Sequence, residues 1–182
     1  MDTPKHLRPI YEQLGAEHYY RTYADAYQNP HKPQIQQLLQ QNRQRIAAQN
    51  ALDFCAGGGE VSEILLAWQV PQLTASDPYT HRLYQKKIGR PCLQWSFRDV
   101  LKGKMIGEFS SIISSFALHL CEEEQLHGLI TQLFAHAPQL IVISPHKRPA
   151  LDEYEGIRLD FEDFALTPKG KKVFLRAYSC TW

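Results

Sequence analysis

Ala51-Leu52-Asp53-Phe54-Cys55-Ala56-Gly57-Gly58-Gly59-Glu60 is an apolar run with one acidic residue that feeds three consecutive glycines, and a helix-patterned segment, Val61 to Trp68, follows at once. The order is strand, tight turn, helix. Glycine costs little where the backbone must take positive φ or let a ligand approach the main chain, so this triplet suits a ligand loop. A plain βα turn has the same outline, and the rest of the chain has to decide between the two.

Downstream, strand-like and helix-like segments alternate. Leu73 to Asp77 reads as a strand, His81 to Ile88 as a short helix, and Cys92 to Trp95 as another short strand. Phe109 to Ser115 has the β-branched centre of a buried strand. Leu126, Leu129, Ile130, Leu133 and Phe134 then form the apolar stripe of an amphipathic helix, with Glu122, Glu123 and Glu124 placed for its first turn. Leu140 to Ser144 is a nearly uninterrupted apolar strand, the kind buried on both faces of a parallel sheet. Ile157 to Leu166 and Lys172 to Ser179 are strands joined by Thr167-Pro168-Lys169-Gly170, so this last pair must be antiparallel. The expected fold is α/β: a Rossmann-like, mostly parallel sheet with helices on both faces, closed by an antiparallel C-terminal hairpin.

Upstream, Tyr19, Tyr20, Tyr23 and Tyr27 share one helical face in a segment also rich in His and Pro, including Tyr11, and Asn29-Pro30 should end that helix. The stripe either packs on the main domain or forms a lid over a ligand, with Tyr19, Tyr27 and His31 as its contacts. A second helix begins at Pro33 with Ile35, Leu38, Leu39 and Ile46 on one side and runs towards Gln49-Asn50. Residues 1–182 are therefore expected to form one domain, with a helical cap over 1–49 and the Rossmann-like core over 50–182.

Composition is compatible with this. With 182 residues, 43% hydrophobic and 21% charged, the chain can bury a proper core. A net charge of +1 gives no strong field for a polyanion or membrane, and leaves nucleic acid to a local patch. Lys169, Lys171, Lys172 and Arg176 read as a solvated hairpin or as such a patch. The four cysteines stand singly, without the spacing of a metal site or redox dithiol. No apolar run spans a bilayer and no apolar segment backs the N-terminus, so a soluble, reducing, cytoplasmic setting is expected.

Phosphate-binding loops fit poorly. Gly57-Gly58-Gly59-Glu60-Val61-Ser62 lacks the third glycine of a dinucleotide fingerprint, and no Gly-Lys-Ser/Thr element is present. With the glycine loop after one strand and Asp77 ending the next, the chain resembles the class I S-adenosylmethionine-dependent methyltransferases. Their first motif, Asp/Glu-x-Gly-x-Gly-x-Gly, maps onto Asp53-Phe54-Cys55-Ala56-Gly57-Gly58-Gly59, with Cys55 in place of the first glycine. Asp77 lies 24 positions after Asp53, near the usual offset of a ribose ligand. A helix N-cap is its alternative role. Phe97-Arg98-Asp99-Val100-Leu101 is similar to the family's adenine contact, and Ile112 to His119 to its fourth-strand segment.

The resemblance implies S-adenosylmethionine as cofactor, held by Asp53, Cys55, Ala56, Gly57, Gly58, Gly59, Asp77, Pro78, Asp99, Val100 and Ser115, with no metal. Asp53 would order backbone amides and water; Asp77 would take the ribose diol. Ser76-Asp77-Pro78-Tyr79 differs in place from the Asp/Asn-Pro-Pro-Tyr element of amino-methyltransferases, which follows the fourth strand. Methyl transfer is a one-step displacement that proximity can carry. His119 is the candidate base, or a structural histidine. His146, in a basic loop after the fifth strand, is a candidate acceptor contact. The expected activity is methyl transfer to a small-molecule acceptor, with RNA or protein acceptors and a non-catalytic cofactor sensor as alternatives.

Overall fold

The computed structural model describes residues 15–182. The first part of the expected cap, residues 1–14 with Tyr11, lies outside the described residues. The elements are α1 (Ala16–Tyr23), α2 (Lys32–Gln41), β1 (Asn50–Phe54), α3 (Glu60–Ala67), β2 (Gln72–Ser76), α4 (His81–Ile88), α5 (Phe97–Leu101), β3 (Ser111–Ser115), α6 (Glu123–His136), β4 (Leu140–Ser144), β5 (Ile157–Leu166) and β6 (Lys172–Cys180). The strands form one sheet in the order β2-β1-β3-β4-β6-β5. β2, β1, β3 and β4 are mutually parallel, while β6 runs antiparallel to both β4 and β5. The α/β fold expected from the sequence is present, C-terminal hairpin included.

Strand periodicity sorts the core into two layers. Leu52 and Phe54 of β1, Ile112 of β3, Leu140 and Val142 of β4 and Tyr178 of β6 pack with Val100 of α5 and Leu126, Leu129, Ile130, Leu133 and Phe134 of α6. The alternate residues Ala51, Ile113, Ile141, Ile143, Leu175 and Ala177 pack on the other face with Ile35, Leu38 and Leu39 of α2 and Val61, Ile64 and Leu65 of α3. α2 is thus part of the core layer, not of a separable lid.

Four expectations change. The strand at Cys92 to Trp95 shrinks to one parallel bridge between Ser76 and Leu93, held by Leu93 N to Ala75 O and Asp77 N to Leu93 O. Pro91 precedes it and no strand flanks its outer side, so little holds a longer pairing. α1 ends at Tyr23 and passes into a single tight turn, Ala24–Ala26, before Asn29-Pro30 is reached. α2 stops at Gln41, where the buried Asn42 caps its last turn by donating from Nδ2 to Leu38 O and to Asp163. The C-terminal basic cluster is no patch either: Arg176 is buried and paired with Glu162, and Lys172 lies over the Phe164 ring.

Candidate functional site

β1 ends at Phe54, and the loop that follows makes its turn at Cys55, whose φ is +60°, followed by Gly57 at +58° and Gly59 at +91°. A left-handed conformation costs a non-glycine residue about 1–2 kcal/mol. Cys55 bears that strain at the position where the family motif has glycine, so the loop shape is retained despite the substitution. Gly59 is required by packing: a Cβ there would stand 2.5 Å from Ile88 Cγ1 and 3.2 Å from Tyr84 Cδ2. Gly57 makes room for the ring of Tyr27, whose Cε1 would lie 3.0 Å from an added Cβ. Gly58 faces Glu60 and Lys87.

The end of β2 is stapled to this loop. Asp77 Oδ2 accepts from Gly57 N at 3.0 Å, its Oδ1 accepts from Tyr79 N at 2.9 Å and Thr80 N at 2.8 Å, and Thr80 Oγ1 donates to Gly57 O at 2.8 Å. Asp77 therefore organises the turn that leads into α4, whose N-cap is Thr80 and not Asp77, while also lining a cavity. Each carboxylate oxygen accepts about two hydrogen bonds. Oδ1 is saturated, and Oδ2 keeps capacity for one hydroxyl rather than for both hydroxyls of a diol.

The cavity, of about 1130 Å³, opens at the C-terminal edge of β1, β2 and β3. It brings together Tyr27, Cys55, Gly57, Asp77, Pro78 and Ser115 among the residues expected from the sequence. The others lie elsewhere. Period-two alternation turns Asp53 onto the α3 face, where its Oδ2 accepts from Ser62 N and from Ser62 Oγ at 2.6 Å. It orders a backbone amide as expected, but beneath the loop. Ala56 and Val100 are core residues.

Asp99 is committed to a capping box: Oδ2 accepts from Ser96 N and Oγ, Oδ1 pairs with Lys104, and Ser96 Oγ accepts from Asp99 N. These donors hold its carboxyl below the ordinary range. Its neighbours Ser96, Phe97 and Arg98 face the cavity instead.

Tyr19 is buried beneath Tyr20 and Tyr23, and it is Tyr20 that reaches the cavity, stacked on Tyr79 with centroids 6.1 Å apart. His31 stacks at 4.9 Å on Phe116, one ring removed from the cavity that Phe116 lines. His119 and His146 meet edge-on at 5.7 Å, and neither lines the cavity. Burial, and secondarily His146, push the His119 pKa down to about 4, which favours the neutral imidazole. Residues the sequence reading missed include His81, Arg82, Arg98, Glu122 and Gln125. The first turns of α4 and α5 follow strand ends, which put them at this edge and was the available signal.

No family profile matches the chain. An uncharacterized protein of Schizosaccharomyces pombe is 28% identical over 82% of this chain and 78% of its own. The magnesium protoporphyrin IX methyltransferase of Synechocystis PCC 6803, solved with bound S-adenosylmethionine, superposes with a TM-score of 0.64 at 15% identity over 100% of both chains. A putative RNA methyltransferase of Pyrococcus horikoshii does so at 0.62 and 14% identity, over 86% of this chain and 88% of that one. The chain has the class I methyltransferase fold. Within that fold, the loop after β1, the end of β2 and the end of β3 are the segments that line the cavity. Among the described residues no helix is long and apolar enough to cross a membrane.

Asp53 gives the site a pH signature. Burial raises its pKa from 3.8 to about 7, opposed by the Ser62 hydroxyl, and its Oδ1 is buried without a partner. A carboxyl with a higher pKa folded than unfolded contributes fully below the unfolded value and loses that contribution as pH rises through the folded one. The expected loss is roughly 4 kcal/mol between pH 4 and pH 7. Denaturant unfolding across that range should show the decline in wild type, and Asp53→Asn should flatten it.

Proposed function

We propose that the protein is an S-adenosylmethionine-dependent methyltransferase of the cytoplasm. One observation carries this reading: Cys55, Gly57, Asp77 and Ser115, from three separate strand ends, converge on a single cavity. Its volume exceeds the roughly 300–1,000 Å³ usual for one small ligand, which leaves space for a cofactor and part of an acceptor. The cofactor supplies a methyl group on a sulfonium, which an acceptor lone pair takes as the carbon–sulfur bond breaks and its electron pair returns to sulfur.

This chain's residues then bind and orient. Asp77 Oδ2 accepts one ribose hydroxyl, the Cys55 to Gly57 backbone provides the close approach, and Ser96 and Phe97 replace Asp99 on the adenine side. Tyr27 and Tyr20, brought over by the N-terminal segment, exclude water from above. Neither His119 nor His146 lines the cavity, whereas His81 and Glu122 do, so the acceptor's proton passes to one of these two or to water. Incubating the protein with methyl-labelled S-adenosylmethionine and a cell extract should yield a labelled product. Cofactor binding without any labelled product would favour the sensor reading.

A further inference from the structure

Two of the three cavity-lining arginines, Arg82 and Arg98, begin two longer basic stripes. Residues 81–104 carry seven Lys and Arg against a single Asp, whereas the whole chain carries 20 Lys and Arg against 19 Asp and Glu. The positive charge is therefore concentrated in one segment, and the remainder of the chain is net acidic. On α4, Arg82, Lys86 and Arg90 recur every four residues, the last just beyond the helix end at Gly89. On α5, Arg98 and Lys102 repeat the spacing. Residues four apart share a helix face. All five side chains are exposed, and none has an ion pair among the described residues. Lys104, by contrast, is occupied by Asp99.

The fold gives these stripes one geometry. α4 packs on the face of β1 and β2 through Tyr84 with Ala56 and Ala75, and α5 packs on the opposite face through Val100. β2 is the outermost strand of the sheet on that side, with only the Leu93 bridge beyond it. Both helices follow parallel segments, so both start at the cavity edge and run away from it. The stripes thus flank a single sheet edge and converge at the cavity, where Arg82 and Arg98 line it. Carboxylates line the same mouth: Glu17 and Asp25 on the N-terminal segment, whose Ala24–Ala26 turn packs against α4, and Glu122 before α6, with Arg21 paired to Glu17.

We propose that the methyl acceptor is carried on a nucleic-acid strand whose phosphodiester backbone lies along this basic edge. The proposal rests on the methyl-transfer reading and replaces the small-molecule acceptor favoured by the sequence. A small anion would engage only the pair at the mouth. The outer three cations extend down two helices, α4 alone being about 12 Å long by its rise per residue, a reach that suits successive phosphates. The carboxylates at the mouth repel the backbone, so it stays along the basic stripes and only a base or a strand end enters the cavity. Tyr20, Tyr79 and Phe97 offer ring faces there for stacking.

The test uses fluorescence anisotropy with a labelled 20-nucleotide mixed-sequence strand, as RNA and as DNA, titrated with the full chain, while calorimetry follows S-adenosylhomocysteine. Five phosphate contacts should give a slope of log K against log salt near −3.5 for a single strand. Lys86→Gln/Arg90→Gln/Lys102→Gln, which leaves the cavity untouched, should bring it near −1.4 and weaken binding at least tenfold with S-adenosylhomocysteine affinity unchanged. Tighter binding of one strand type identifies the source. Equal competition by polyglutamate or pyrophosphate would overturn the proposal, as would an unaffected triple variant or no binding of either strand at 50 mM salt while S-adenosylhomocysteine binds. Strand binding without S-adenosylhomocysteine binding would instead remove the methyl-transfer reading, and the acceptor assignment with it.

Discussion

Asp77→Ala is expected to lower affinity for S-adenosylhomocysteine by about 100-fold, the scale of one lost charge-assisted hydrogen bond together with a disordered loop. The same change orphans the amides of Gly57, Tyr79 and Thr80, which now donate to its carboxylate. Each unsatisfied buried donor costs roughly 1–3 kcal/mol, and water entering the cavity recovers part of that. A stability loss of about 2–4 kcal/mol should therefore accompany the binding loss. Asp77→Asn separates the two effects. Its carbonyl oxygen still accepts from Tyr79 and Thr80, but its amide group opposes Gly57 N. The fold should largely survive by denaturant titration while calorimetry still shows weakened binding.

Gly59→Ala should be the most destabilising single-carbon change in the loop, by about 2–4 kcal/mol. The new Cβ would meet Ile88 Cγ1 at 2.5 Å and Cδ1 at 2.7 Å, on a residue whose φ is +91°. Two penalties act there, and they can be told apart. Ile88→Ala in the same chain removes the steric contact and leaves the backbone strain. The double variant should thus lose less stability than the two single changes summed, with an interaction of about 1–2 kcal/mol in chemical denaturation. Simple additivity would show that Gly59 is needed for its φ alone.

Much of the sheet is legible because its signal is local. Leu140 to Ser144 has to be a strand buried on both sides, and Ile157 to Leu166 with Lys172 onward has to be a hairpin, since apolar runs and a Pro-Gly turn leave no alternative. The site is less legible because its residues are chosen by direction. Asp53 belongs to the motif, yet alternation along β1 points it at Ser62 on α3. Asp99 follows Ser96 by three residues, a spacing that predicts a capping box, and this local helix-start signal outweighs the family position. Tyr19 and Tyr20 are adjacent in a stripe covered on one side by core and on the other by the cavity, and periodicity alone cannot assign the sides. The basic edge is masked in the sequence because a net charge near zero conceals an uneven distribution. Only the placement of α4 and α5 about one sheet edge gathers it.

The cofactor pocket is the claim on which the rest depends, and calorimetric titration of the wild-type chain with S-adenosylhomocysteine tests it most directly. One equivalent should bind with micromolar or tighter affinity, and Asp77→Ala should bind at least tenfold more weakly. No heat of binding at millimolar ligand, from protein shown to be folded by its unfolding transition, would contradict it.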